Sequence, residues 1–149
     1  GQLRRQEYLK NGIPDGMYKE FTFDGKLWAR GNYEDSLRQG NWLVTHRGYK
    51  EVGKYDYGVR QGEWRHYKGD VLVYEGKFVD GLPNGKHVAF WDNGNKKYEG
   101  VYNMGEKNGE WRRYTRTGEL FLVITYKFGK EIKYDNKKIE LPDDTEVIE

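Results

Sequence analysis

The sequence predicts an all-β fold: an elongated, single-layer, twisted antiparallel β-meander built from about five tandem β-hairpin repeats of 22–24 residues. Three observations predict it. Glycines recur in phase along the chain, an aromatic strand frame repeats between them, and the composition is too polar for a large central core.

The glycines come first. One series runs Gly16, Gly40, Gly62, Gly85, Gly109. A companion series lies four residues ahead, at Gly12, Ser36, Gly58, Gly81, Gly105, and one further step reaches Gly129. Units therefore start near residues 12, 36, 58, 81 and 105. The first strand of each unit follows the start glycine, as Gly40-Asn-Trp42, Gly62-Glu-Trp64-Arg-His-Tyr67 and Gly109-Glu-Trp111-Arg-Arg-Tyr114, with Gly16-Met-Tyr18 and Gly85-Lys-His87 as weaker copies. A turn comes next, at Asp24-Gly25, Arg47-Gly48, Lys68-Gly69, Asn93-Gly94 and Thr117-Gly118; Asp-Gly and Asn-Gly supply the positive φ angles of tight hairpins. The second strand carries Gly-x-aromatic, as Gly31-Asn-Tyr33, Gly53-Lys-Tyr55, Gly76-Lys-Phe78 and Gly100-Val-Tyr102, and the fifth copy reads Ile124-Thr-Tyr126. Each unit is strand, turn, strand, loop.

Helix is excluded, because each interior glycine costs a helix about 1 kcal/mol against alanine and glycine recurs too often to leave a usable window. Propeller blades need about 40 residues and four strands, and β-helix coils lack paired tight turns at this spacing. Ten strands spaced about 4.8 Å apart make a sheet about 50 Å long. Along it, Trp42, Tyr55, Trp64, Phe78, Tyr102, Trp111 and Tyr126 are expected to alternate between neighbouring strands on one side. The stripe is then first a source of stability, since a single hairpin is marginal in water.

The 149 residues are one domain's worth of chain. Mean hydropathy is −1.07, yet 16% of residues are aromatic, far more than disorder allows. The repeat array is expected over residues 1–139 and an acidic tail over 140–149, which holds Glu140, Asp143, Asp144, Glu146 and Glu149 and no basic residue. The array's 26 Lys and Arg against 19 Asp and Glu leave it at +7. With no cysteine there is no disulfide, thiol nucleophile or thiolate metal site. The longest apolar run, Leu120 to Ile124, is too short to cross a bilayer. No signal peptide is visible, and the leading Gly1 leaves room for an export signal removed earlier.

No residue pattern predicts chemistry, so the protein is read as no enzyme, with no cofactor, metal or catalytic residue. His46, His66 and His87 fall at different offsets from their start glycines and are expected at the surface or edge. Glu63 and Glu110, like Glu75 and Glu99, recur about two strands apart, too far for a close carboxylate pair. The glycines open strands, whereas a phosphate-cradling loop ends at a helix.

The recurrent Asp or Asn, Gly, then Gly-x-Trp-x-x-Tyr has one further meaning. In Gly81-Leu-Pro-Asn-Gly85, Gly105-Glu-Lys-Asn-Gly109-Glu-Trp111-Arg-Arg-Tyr114 and Tyr98-Glu-Gly100-Val-Tyr102 it resembles the membrane occupation and recognition nexus (MORN) repeats, and the bacterial variants in YwqK-type antitoxin components in particular. The likeness runs from about residue 11 to 134, with Thr45 standing where a ring is expected and His87 in place of Trp. It implies a protein-interaction scaffold, an antitoxin-like component of a bacterial system, affinity for acidic lipid, and an exported or envelope location ahead of a cytoplasmic one.

The leading expectation is therefore a non-catalytic scaffold that binds another protein through exposed rings at Tyr18, Trp42, Trp64, Trp111 and Tyr114. Peripheral binding to acidic membrane through Arg65, Lys96, Lys97, Arg112 and Arg113 is the alternative, and carbohydrate binding by exposed aromatics a further one. Nucleic acid is disfavoured by the small net charge, and the open ends of the sheet allow self-association through edge strands.

Overall fold

The computed structural model describes residues 4–136, so the acidic segment expected at 140–149 lies outside it. Twelve strands form one open sheet in which chain order and spatial order coincide and every neighbouring pair is antiparallel. They are β1 (Arg4–Lys10), β2 (Ile13–Phe21), β3 (Leu27–Glu34), β4 (Leu37–His46), β5 (Tyr49–Asp56), β6 (Val59–Lys68), β7 (Val71–Val79), β8 (Leu82–Phe90), β9 (Lys96–Asn103), β10 (Glu106–Tyr114), β11 (Leu120–Lys127) and β12 (Lys130–Asn136). No helix occurs among the described residues. The single-layer meander is the predicted fold, with two strands more than the ten expected. β1 and β12 lie at its edges and lack the Gly-x-Trp frame.

The turns differ from the expected unit. The companion series closes two-residue turns at Asn11-Gly12, Asp35-Ser36, Tyr57-Gly58, Asp80-Gly81, Met104-Gly105 and Phe128-Gly129, with φ positive at both residues. These are primed hairpin turns, whose twist matches that of the strands. Gly16, Gly40, Gly62, Gly85 and Gly109 lie inside strands, at φ between +71° and +115°, where the ladder with the preceding strand shifts register. What the spacing predicts as an inter-unit loop is thus a tight turn followed by a bulged strand. At the opposite end of the hairpins, Arg47-Gly48 and Gly69-Asp70 are two-residue turns, whereas residues 22–26, 91–95 and 115–119 form longer loops of one shared design. In each long loop the first residue's N–H donates to the fifth residue's carbonyl at 2.8–2.9 Å.

Successive hairpins are tied by a repeated backbone bond. Ser36, Gly58, Gly81, Gly105 and Gly129 each donate an N–H to Pro14, Arg38, Arg60, Pro83 and Lys107 of the hairpin before, at 2.8–3.1 Å. Beside it, the amide oxygens of Gln39, Gln61 and Asn84 accept the N–H of Tyr57, Asp80 and Met104. This bond gives a physical reason for the Gln or Asn ahead of Gly40, Gly62 and Gly85.

The core is the expected ring stripe, and its packing rests on glycine. Gly31, Gly53, Gly76 and Gly100 lie under Trp42, Trp64, His87 and Trp111, where an added Cβ would stand 2.0–2.2 Å from a ring atom. Each ring lies flat on the preceding strand and points its ring N–H at the next residue's carbonyl. Trp42 donates to Asn32 at 3.0 Å, Trp64 to Lys54 at 3.2 Å, His87 to Lys77 at 2.8 Å and Trp111 to Val101 at 3.2 Å. Tyr33, Tyr55 and Tyr102 meet the neighbouring indoles edge to face, with centroids 4.9–6.4 Å apart, a favoured aromatic geometry. In the fifth copy Ile124 replaces the glycine and is itself buried, and the β12 residue opposite it is Tyr134, whose ring is exposed and is not laid on the sheet.

Candidate functional site

The five residues expected to offer exposed rings belong to this packed stripe or to hydrogen bonds beside it. Trp42, Trp64 and Trp111 are almost wholly buried, and Trp64 is 0% exposed. The expectation of exposed tryptophan rows is corrected for a simple reason: glycine on the adjacent strand lets each indole lie down on the sheet instead of standing above it. Tyr18 is half-buried between Tyr33 and Trp42 and donates its hydroxyl to Glu20 at 3.0 Å; burial and that carboxylate push its phenol up to about 12. Tyr114 donates to Glu99, and its carbonyl accepts the Trp91 indole N–H.

Cations close the stripe from the side of the tight turns. Arg38 lies 4.8 Å from the Trp42 ring and 5.4 Å from Tyr55, Arg60 4.5 Å from Trp64, and Lys107 4.9 Å from Trp111. Each stands four residues before its indole. At the corresponding place before His87 stands Pro83.

His87 corrects a second expectation, for it is fully buried in the stripe and not at the surface. A backbone carbonyl only accepts, so the bond to Lys77 places the proton on Nε2. Nδ1 then accepts the Tyr74 hydroxyl. Burial pushes the imidazole below its usual value and the Tyr74 phenol above its own, which keeps both neutral and the bond intact. His46 is exposed as expected, and His66 is half-buried.

The five cations expected to meet acidic lipid are dispersed. Arg65 pairs with Glu75 at 3.5 Å, Lys96 with Glu99 at 2.6 Å and Arg112 with Glu110 at 2.5 Å. Arg113 lies against Tyr98 and Lys97 against Trp91. By strand alternation Arg65 and Arg112 face away from the rings of Trp64 and Trp111, whereas Arg113 shares the ring face. Among the described residues no group of three His, Asp or Glu side chains is placed to hold a metal.

Two surfaces emerge that sequence reasoning missed. The first is the row of tight-turn tips. Tyr57, Met104 and Phe128 are 57%, 47% and 75% exposed at the turn apices, and Ile13, Leu37, Val59 and Leu82 are exposed just past them. The row is continuous: Leu37 packs at Gly58, Val59 at Gly81 and Leu82 at Gly105, each within 3.5 Å of the Cβ position. Its sequence signal is an apolar residue directly after Gly12, Ser36, Gly58 and Gly81.

The second is an open groove of about 530 Å³ on the long-loop side. Strands β5 to β9 and the loops after β8 and β10 bring to it Tyr49, His66, Tyr74, Trp91, Tyr98 and the cations Lys68, Lys97 and Arg116. No short motif marks it, since its residues span positions 49–116.

No family model matches the chain, and no curated protein does. Among solved structures it is similar to the crystal structure of TarM at 12% identity and a TM-score of 0.34, over 88% of this chain and 21% of that one. The chain thus spans about a fifth of that protein's length, and the likeness is too distant to carry chemistry from one to the other.

Proposed function

We propose that the protein is a non-catalytic scaffold that docks a partner protein along the apolar row of tight-turn tips. One observation carries this reading. Tyr57, Met104 and Phe128 hold left-handed backbone at φ +45°, +44° and +50°, while the equivalent positions of other hairpins carry Asn11, Asp35 and Asp80. Asn and Asp tolerate that conformation, whereas large apolar side chains are strained there by about 1 kcal/mol each. Solvent-exposed apolar residues held at a strained position favour a binding use over a packing one. The resemblance of the repeats to the MORN family supports the same reading, and the antitoxin-like role it implies is one form such a scaffold could take.

The test compares the wild-type chain with Tyr57→Asn/Met104→Asn/Phe128→Asn as bait in a native extract of the source organism, washed at raised salt. A single protein held by the wild type and lost by the variant, with circular dichroism unchanged, is the expected result. Equal retention by both would remove the tip row from the interface. Sedimentation with anionic and neutral liposomes separates off the lipid reading, which needs anion-dependent pelleting.

A further inference from the structure

The long-loop groove has features that the scaffold reading does not use. Ala89 pairs with Tyr74 on one side and with Tyr98 on the other. A single methyl group therefore floors a slot between two phenol-bearing strands, which lie two strand spacings, about 10 Å, apart. Elsewhere along this row the flanking residues are smaller or charged: Ala29 and Glu51 stand beside Val44.

Polar groups converge on the same slot. Lys68 and Lys97 line the groove and have no carboxylate partner among the described residues, and the one carboxylate in the lining, Asp92, is paired with Arg116. His66 packs on Tyr74 at 5.1 Å, and its Nε2 is buried without a hydrogen-bond partner. Buried polar atoms are ordinarily satisfied, so an unpartnered one lining a groove marks a place for an outside polar group. The volume of about 530 Å³ falls within the usual range for small-molecule sites.

We propose that this groove binds a small organic anion with a flat ring: the ring enters the slot over Ala89 between Tyr74 and Tyr98, and a carboxylate or phosphate meets Lys68 and Lys97. The surplus of cations selects the charge, and the paired phenols select the shape. The Lys97 ammonium, already 4.7 Å from the Trp91 ring, is held at the groove wall by that contact.

The test is titration followed by the indole N–H and imidazole resonances, at fixed ionic strength, with adenosine monophosphate, adenosine, benzoate and inorganic phosphate as probes. Adenosine monophosphate or benzoate should give saturable shifts at Trp91 and His66, and adenosine should bind at least roughly tenfold more weakly than its monophosphate. A response to the monophosphate alone assigns the site to phosphates, and a response to benzoate alone assigns it to carboxylates. Lys68→Glu/Lys97→Glu should weaken the anionic probes by about tenfold or more. Ala89→Leu should fill the slot and abolish ring binding, while Lys54→Glu, away from the groove, should change nothing. The lysine pair carries the test even if Ala89→Leu disturbs the fold. Equal binding of adenosine and its monophosphate, inorganic phosphate binding as tightly as the monophosphate, no saturable response to either anionic ring probe, or unchanged affinity in the lysine variant would each overturn the proposal.

Discussion

The indole of Trp64 lies on Gly53, so that a Cβ at residue 53 would stand 2.2 Å from the ring. No positive φ is involved there, so the requirement for glycine is one of space alone. Gly53→Ala should lower stability by about 1–3 kcal/mol through overpacking. Gly40→Ala, with open space but φ +74°, should cost about 1 kcal/mol from backbone conformation. Urea denaturation of the two variants measures both. A harmless Gly53→Ala would mean that the ring does not rest on the strand.

Ile124 provides the reciprocal case. It fills the place that glycine occupies in the other copies and is buried. Ile124→Ala should therefore destabilise by about 2–4 kcal/mol through the cavity left behind. A methyl group would be too large at residue 53 and too small at residue 124, and denaturant midpoints should show both losses.

The burial of His87 makes stability depend on pH. An unfolded imidazole titrates near 6.5, and the folded one is held lower by burial, so between those values the unfolded chain binds more protons. Stability should be full above pH 6.5 and decline as pH falls toward the folded value. His87→Trp places on Gly76 the ring that Gly53 and Gly100 already carry, and should flatten the decline between pH 7 and 5. The residue of the slope belongs to His66, which burial also lowers. Denaturation midpoints across that window check the sign. A slope unchanged by His87→Trp would place the titration elsewhere.

Tyr74→Phe removes the donor to His87 Nδ1 and leaves a buried acceptor unsatisfied. The expected loss is about 1–3 kcal/mol by denaturation. The imidazole N–H resonance should persist, because Lys77 still holds the Nε2 proton.

The tip residues should respond in the opposite direction. Replacing Tyr57, Met104 or Phe128 by Asn relieves left-handed strain and should raise stability by about 0.5–1 kcal/mol per site. Calorimetry on the single variants tests this independently of any partner.

Much of this architecture could be read from residue order, because one chemical need recurs. Gly53-Lys-Tyr55 and Gly62-Glu-Trp64 repeat because an indole needs a bare backbone beneath it, and the glycine supplies it at a fixed distance along the chain. The same text does not say that the indole lies down, so Trp42, Trp64 and Trp111 read as exposed when they are covered. The edge strands Arg4–Lys10 and Lys130–Asn136 escaped notice because an edge does not need the ring frame that identifies the interior. His87 read as a departure from the repeat, whereas its ring takes the indole's place and makes the indole's hydrogen bond. The groove was hidden most completely: Ala89, Tyr74 and Tyr98 are ordinary strand residues until register sets them side by side.

Chain order and spatial order coincide from β1 to β12, with every hairpin bonded only to its neighbours. A load applied between the outer strands therefore acts along the direction of the ladder bonds and opens them in sequence, since the bonds among the described residues join each hairpin to the one beside it. Mechanically the molecule is a zipper. Under tension it should lengthen in small, nearly equal steps, each releasing one strand, and on relaxation re-form by adding strands to whichever part remains paired.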